Sequence, residues 1–423
     1  MGRLCKAPWA SISTTADGQV LPCCRFALQK FQKEFKLPSL SEGRMDQVWN
    51  GKQFQKLRQA FLDGVEPEEC NDCWTREDAG LESMRQIIDH EIPNFHIKNF
   101  IAPPPKKWNL HVSNVCNLRC RMCGPEFSSL IQKELAELKV KLYGHKKEEF
   151  DAEIKLFTSN QIIGTKHEEI FKAWIPHIQT LSIAGGEPFK NKEIKKLVKI
   201  ILQEKLVTQD IGVSLATNGS YFDSNFLLDL FKFRYYFQGI SIDDLYERNE
   251  YARDRSKWET IETNILKFKH MFLRCGKNPE HMNINCTVNN YNIWYLDELI
   301  QWAEDFELNI NFHIVHETGS GHLSPKFLHP SIKEEIIKKY KKFDNNPKLK
   351  GIINNIKKEQ ELSEYHQRWL NWCNMADIKA EDMTDGFLKW TAWKDSIRKQ
   401  DFTRVFPEWY DVLKQKGYKY SYK

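Results

Sequence analysis

The stretch 108-WNLHVSNVCNLRCRMCGP-125 runs from a candidate strand straight into a loop with three cysteines. Its first residues alternate: Asn109, His111 and Ser113 fall on one side, Leu110 and Val112 on the other. Period-two alternation marks a strand with one polar and one apolar face. Five segments downstream repeat it: 178-IQTLSIAGG-186, 211-IGVSLATN-218, 237-FQGISIDD-244, 282-MNINCTVN-289 and 309-NINFHIVH-316. Their polar faces carry Thr180, Ser182, Ser214, Ala216, Asn218, Ser241, Asp243, Asn283, Asn285, Thr287, Asn311 and His313, with apolar residues between. Helical stretches separate them, among them 192-KEIKKLVKIILQEK-205, 224-SNFLLDLFKF-233, 258-WETIETNILKFKHMFL-273 and 294-WYLDELIQWAEDF-306. Strands alternating with crossover helices predict right-handed βαβ units, a parallel sheet and an α/β fold. Strands covered on both faces would read as nearly continuous Val, Ile and Leu, and a filled barrel would carry bulky branched residues inside. The pattern instead predicts a partial (β/α)6 TIM-like barrel, six-stranded and curved, whose polar face lines an open, wet cavity.

The barrel is assigned to residues 106–325. Upstream, residues 1–100 read as a small cysteine-rich unit of short elements. There 17-DGQVLPCC-24 is a turn into a strand, and Val48, Phe54, Leu57, Phe61 and Leu62 form one helical stripe. The run 101-IAPPPKK-107 marks a boundary, because three successive prolines exclude helix and sheet interior. The segment 124–175 is longer than one crossover helix and predicts a helical insertion, and residues 326–423 read as a helical C-terminal extension.

At 423 residues the chain suits two or three units at about 150 residues each. Hydrophobic residues at 41% and charged ones at 28% describe a globular chain. Lys and Arg number 62 against 57 Asp and Glu, a net charge of +5 that demands no nucleic-acid or acidic-membrane partner. No apolar run reaches the roughly 18 residues of a membrane span. MGRLCKAPWAS lacks an apolar signal-peptide core, and Lys6 breaks the myristoylation pattern. The expected compartment is the cytoplasm, where thiols stay reduced. The lysine-rich 337-IKKYKKFDNNPKLKGIINNIKK-358 reads as a solvated helix face. Trp369, Trp372, Trp390 and Trp393 read as core or lid packing. The segment 316-HETGSGH-322 is either a mobile lid or a plain connector.

Of eleven cysteines, eight lie in tight sets: Cys5, Cys23, Cys24; Cys70, Cys73; Cys116, Cys120, Cys123. In a reducing compartment such spacing points to metal or redox chemistry rather than disulfides. Cys275, Cys286 and Cys373 are solitary and read as small buried apolar residues. Three thiolates on one short loop can hold three corners of a cubic cluster and leave one iron open to an exogenous ligand, unlike the four-cysteine ligation of a ferredoxin. A zinc knuckle with a remote fourth ligand is the other reading.

With its C-x3-C-x2-C loop after the first strand and Met122 before the last cysteine, the sequence resembles the radical S-adenosylmethionine (SAM) enzymes. Gly185, Gly186 and Glu187 of AGGEP look like the motif that binds the SAM amino group. Asn218 of TNG ends the third strand, and Ser241 and Asp243 of SIDD end the fourth, where the family contacts the SAM ribose and carboxylate. ERNEYAR resembles the segment ending in a SAM-contacting arginine, here Arg253; Asp244 stands where relatives often have glycine. The N-terminal cysteines resemble the twitch domain, a shortened SPASM domain, placed here before the barrel instead of after it. That resemblance implies an auxiliary 4Fe–4S cluster on Cys5, Cys23, Cys70 and Cys73, with Cys24 as a substitute for Cys23 and a four-cysteine zinc site as the alternative.

The resemblance implies an oxidoreductase in which a 4Fe–4S cluster on Cys116, Cys120 and Cys123 reductively cleaves SAM. The resulting 5′-deoxyadenosyl radical would take a hydrogen atom from a substrate, with net oxidation through the auxiliary cluster. A ribosomal peptide is the favoured substrate and a small molecule the next, with flavodoxin or ferredoxin as electron donor. The inward-facing His111, Asn285 and His313 are the candidate substrate residues. A modifier of RNA and a non-catalytic iron–sulfur scaffold are the rival readings.

Overall fold

A computed structural model describes residues 3–26, 38–78, 82–97, 99–143, 162, 164–203, 210–315, 321–343, 346–357 and 382–421. Its strands are β1 (Ser11–Thr14), β2 (Val20–Leu21), β3 (Lys107–His111), β4 (Arg119–Cys120) and β5 (Thr180–Ala184), then β6 (Gly212–Thr217), β7 (Tyr235–Ser241), β8 (Arg253–Asp254), β9 (Met282–Val288) and β10 (Asn309–Ile314). The six strands read from the sequence are β3, β5, β6, β7, β9 and β10. They form one parallel run in the order β10-β9-β7-β6-β5-β3. The crossover helices fall where the periodicity puts them, at Lys192–Gln203, Ser224–Leu230, Trp258–Arg274 and Leu296–Asp305.

The two faces separate as the alternation requires. Leu110, Leu181, Ile183, Val213, Leu215, Ile240, Ile284, Val288 and Ile310 are all buried beneath the helices. Each such aliphatic side chain contributes about 1.5–3 kcal/mol. Asn109, Thr180, Ser182, Ser214, Ser241, Asn283, Asn285 and Thr287 on the other face are only half-buried, and Asn311 and His313 on the edge strand are exposed. That face is therefore a wet lumen. Gly239 lies on it because a Cβ there would stand 2.2 Å from the Asn285 amide, which crosses over β7.

The sheet is larger than the sequence reading. β1 pairs parallel with β3, Ile12 opposite Trp108, and β2 pairs antiparallel with β1, so two N-terminal strands extend the barrel sheet to eight. The N-terminal unit is thus built into the barrel rather than tethered to it. The proline run is pinned too. Trp49 Nε1 donates to Pro103 O at 2.8 Å, and Asn50 bonds both the N–H and the C=O of Ala102. In the helical stripe Phe54, Leu57 and Phe61 are buried, whereas Leu62 points to solvent at 44% exposure, one position past the apolar face.

The 124–175 insertion contains the helices Ser129–Tyr143 and Glu168–Trp174. The described C-terminal region is helical, with Pro330–Tyr340, Pro347–Lys357, Met383–Arg398, Phe402–Val405 and Pro407–Gln415. Trp390 is buried there and stacks obliquely on Trp393. Trp369, Trp372, Cys373 and residues 316–320 of the glycine-rich segment lie outside the described residues.

Arg58 is the polar pin of the N-terminal unit. Fully buried, its guanidinium donates to Pro8 O (2.8 Å), Trp49 O (2.9 Å), Phe100 O (3.1 Å) and Asn50 Oδ1 (2.8 Å), and rests on the Trp49 ring. Arg58→Met removes these donors and leaves three backbone carbonyls without their partner, at about 1–3 kcal/mol apiece. The expected loss of stability is about 3 kcal/mol or more, and a denaturant melt within 0.5 kcal/mol of wild type would contradict it.

Candidate active site and iron–sulfur centres

The cysteine loop leaves the C-terminal end of β3, the end at which barrels of this kind place their chemistry. Local polar residues fold it back. Asn114 Nδ2 donates to Pro125 O (2.9 Å) and Gln132 Oε1 (2.6 Å), Ser128 Oγ to Leu118 O (2.7 Å), and the Ser129 N–H to Asn114 O (2.7 Å). The loop then joins another part of the barrel. Its two-residue strand β4 pairs with β8, setting Cys120 opposite Arg253. Arg253 Nη1 lies 3.9 Å from Cys120 Sγ, and its Nε lies 2.8 Å from Asp243 Oδ2. Asp243, fully buried after β7, is fixed by the N–H of Thr287 on its Oδ1 (2.8 Å) and by Asn292 Nδ2 on its carbonyl (2.8 Å).

The AGGEP loop closes on the same place. The Glu187 N–H donates to Val115 O at 2.8 Å and that of Gly186 to Phe127 O at 3.2 Å. Gly185 and Gly186 have φ of +88° and +61°. A Cβ on Gly185 would fall 1.8 Å from the His111 ring, and one on Gly186 would fall 2.3 Å from Val115 O. Neither position tolerates a side chain. Glu187 is fully buried, and its oxygens accept from Thr217 Oγ1 (2.6 Å) and from the N–H groups of Asn218 (2.8 Å) and Phe189 (3.0 Å). Burial still lifts its carboxyl above the ordinary range. It therefore acts as a strut between the loops after β5 and β6. Asn218 Nδ2 reaches Asn117 Oδ1 at 3.0 Å and Cys116 Sγ at 3.8 Å.

So Cys116, Cys120, Cys123, Gly185, Gly186, Glu187, Asn218, Asp243 and Arg253 meet at one end of the sheet. Ser241 is half-buried at the end of β7, and Met122, between Cys120 and Cys123, packs against the core. Two buried polar atoms at this end have no hydrogen-bond partner, His111 Nε2 and Ser220 Oγ, while Asp243 Oδ2 and Arg253 Nε are ion-paired with each other. An unpartnered imidazole nitrogen and hydroxyl beside a buried ion pair at the strand ends fit a polar, zwitterionic ligand such as SAM. The three thiols fit a cluster: each has its pKa raised by burial, Cys120 to about 12, so each would lose a proton on taking iron.

The N-terminal cysteines gather separately. Cys5, Cys23, Cys70 and Cys73 line one pocket whose walls include Phe26, Phe61, Trp74 and Ile88, while Cys24 is exposed and outside it. Burial, and then the neighbouring sulfurs of Cys24, Cys70, Cys5 and Cys73, drive the Cys23 thiol well above its usual pKa. Four thiols around one pocket supply the four protein ligands that a 4Fe–4S cluster takes.

Of the substrate candidates, Asn285 is half-buried in the lumen, its Oδ1 accepting from Asn283 at 2.7 Å, and His313 is exposed on β10. His111 is buried, stacked flat on Phe127 with centroids 4.7 Å apart. Residues the sequence reading missed are Arg119, Arg121, Glu134, Lys394, Asp395 and Arg398, which surround the outer side of the cysteine loop. Apart from Arg119 with Glu134, their pairings cross more than a hundred residues and leave no local signal.

Residues 5–74 match the SPASM family, an iron–sulfur cluster-binding domain. The N-terminal cysteine-rich unit is thus similar to SPASM iron–sulfur domains. An S-adenosylmethionine-dependent nucleotide dehydratase of Lacinutrix mariniflava is 25% identical over 264 residues, covering 60% of this chain and 49% of that protein. The chain thus spans about half the length of this curated relative. Among solved structures, anSMEcpe with bound AdoMet aligns over 57% of this chain and 60% of its own at 19% identity, with a TM-score of 0.37. SuiB of Streptococcus suis aligns over 81% and 69% at 12% identity, with a TM-score of 0.35.

His111 gives the site a pH signature. Burial lowers its pKa from 6.5 to about 4, so the folded chain binds fewer protons than the unfolded one between these values. Stability from this group is therefore complete above pH 6.5 and lost as pH falls toward 4, on the order of 3 kcal/mol in all. His111→Gln should flatten this part of the pH–stability curve. An unchanged slope between pH 6.5 and 4 in the variant would count against the buried neutral imidazole.

Proposed function

We propose that this protein is a radical SAM oxidoreductase that takes a hydrogen atom from a substrate held in the polar lumen. The observation that carries the reading is the convergence of the three-thiol loop, the AGGEP loop and the Asp243–Arg253 pair at the open end of the barrel. SAM and 4Fe–4S clusters supply, when bound, a 5′-deoxyadenosyl radical at the barrel and an electron acceptor at the auxiliary site. Cys116, Cys120 and Cys123 would hold the first cluster, and Cys5, Cys23, Cys70 and Cys73 the auxiliary one. Asp243 and Arg253 present opposite charges toward the SAM amino-acid end. Ser241 lies beside them at the end of β7, where the ribose would rest, while Gly185 and Gly186 keep backbone free of side chains. Asn285 and His313 face the substrate; His111 would reach it only if Phe127 moved aside. Met122 packs against the core beside the loop.

A peptide is the substrate we favour, because Asn311 and His313 on the edge strand β10 are exposed, as docking of an extended chain requires. A nucleotide is the second reading, favoured by the name of the Lacinutrix relative. The electron donor is a small reductant of the flavodoxin or ferredoxin type.

Each of Cys116→Ala, Cys120→Ala and Cys123→Ala should abolish 5′-deoxyadenosine formation after dithionite reduction. Wild-type yield from any one of them would end this assignment. The reconstituted chain should hold about eight irons, and the triple variant about half of these. Zinc in place of iron in that variant, or no metal at all, would remove the auxiliary cluster from the reading. Asp243→Ala should weaken SAM binding by about 10-fold or more, the loss of one charged hydrogen-bond partner, measured by equilibrium binding.

A further inference from the structure

The cysteine loop carries two arginines between its cysteines, and both are held by the C-terminal region. Arg121, 3% exposed, pairs with Asp395, donates to Gln400 Oε1 at 2.7 Å and lies 3.9 Å from the centre of the Tyr251 ring. Asp395 also accepts from Tyr251 Oη (2.8 Å), Tyr420 Oη (2.6 Å) and the Phe402 N–H (2.8 Å). One helical turn on, Arg398 Nη1 donates to the backbone carbonyl of Arg119 at 2.9 Å. Its Nε and Nη2 grip Glu134 at 2.8 and 2.7 Å, and Lys394 adds a third bond there at 2.7 Å. Arg119 itself pairs with Asp254 at 2.7 Å.

This network joins the loop, the helix Ser129–Tyr143, β8 and the helix Met383–Arg398. Lys394, Asp395 and Arg398 occupy one helix face, all turned to the loop. A buried ionic network is a poor source of net stability, because desolvation offsets the attraction, but it admits few alternative geometries. Its four cations (Arg119, Arg121, Lys394, Arg398) outnumber its three carboxylates (Glu134, Asp254, Asp395). The excess positive charge lies beside the loop that would carry three thiolates, the sign that favours them.

We propose that the helix Met383–Arg398 is a clamp that fixes the geometry and charge environment of the Cys116–Cys123 loop, with Asp395 and Arg398 as positioning residues acting through Arg121 and Arg119. The cluster part of this rests on the function proposed above; the clamp itself does not. Three variants of the full chain test it: Asp395→Asn, Arg398→Lys and the mild Tyr420→Phe, which removes one hydrogen bond from Asp395. Amide hydrogen exchange, measured before metal loading, should accelerate at residues 119–122 by about 10-fold or more in Asp395→Asn. Smaller increases are expected in Arg398→Lys and Tyr420→Phe, with β5 and β6 unchanged in all three. After reconstitution, Asp395→Asn should shift the midpoint potential and EPR signal of the loop cluster but not those of the auxiliary cluster. Exchange at 119–122 that matches wild type, or that rises only in step with the whole chain, overturns the clamp. If Asp395→Asn does not fold, Tyr420→Phe decides by the same criterion. Failure of the wild-type chain to form 5′-deoxyadenosine would sink the proposed function and leave the exchange result to stand on its own.

Discussion

Everything at the catalytic end of this barrel hangs on a ladder two residues long, in which Arg119 and Cys120 pair antiparallel with Asp254 and Arg253. A cysteine loop of eight residues cannot hold its own shape, since fixing each residue costs about 1–2 kcal/mol of backbone entropy. The ladder ties it to the segment after β7, and Arg253 then bridges Cys120 and Asp243, which belongs to the end of that strand. Loop, sheet and charged pair become one object. The AGGEP loop completes it: the N–H of Gly186 donates to Phe127 and that of Glu187 to Val115, an approach that Gly185 and Gly186 allow by lacking side chains.

The lumen stays open for a related reason. Each strand gives its apolar face to the helices, so stability is already obtained on one side of the sheet, and the other side is free to be polar. Polar side chains there satisfy one another in part, as Ser182 with Ser214 at 2.8 Å and Asn283 with Asn285 at 2.7 Å. The remainder face water or a ligand. The N-terminal unit uses the edge that this arrangement leaves: β1 covers β3, and an otherwise unpaired edge becomes the seam between two units. The four-thiol pocket is thereby attached to the barrel through continuous backbone hydrogen bonding, which a proline tether would not provide.

Period-two alternation in six segments was sufficient to place β3, β5, β6, β7, β9 and β10 and to tell their faces apart, because side-chain direction in a strand follows from the backbone alone. The spacing of Cys116, Cys120 and Cys123 named its own loop for the same local reason. The tertiary structure decided what depends on distant partners: that β1 and β2 join the barrel sheet, that Cys23 faces the shared pocket while Cys24 faces solvent, and that Glu187 is spent as a strut on Thr217 and Asn218. It also decided that His111 lies beneath Phe127 and that Asp395 reaches Arg121 across 274 residues. A buried ion pair or a stacked ring is selected by desolvation, and desolvation is set by every element packed around it, so no local stretch of sequence encodes it.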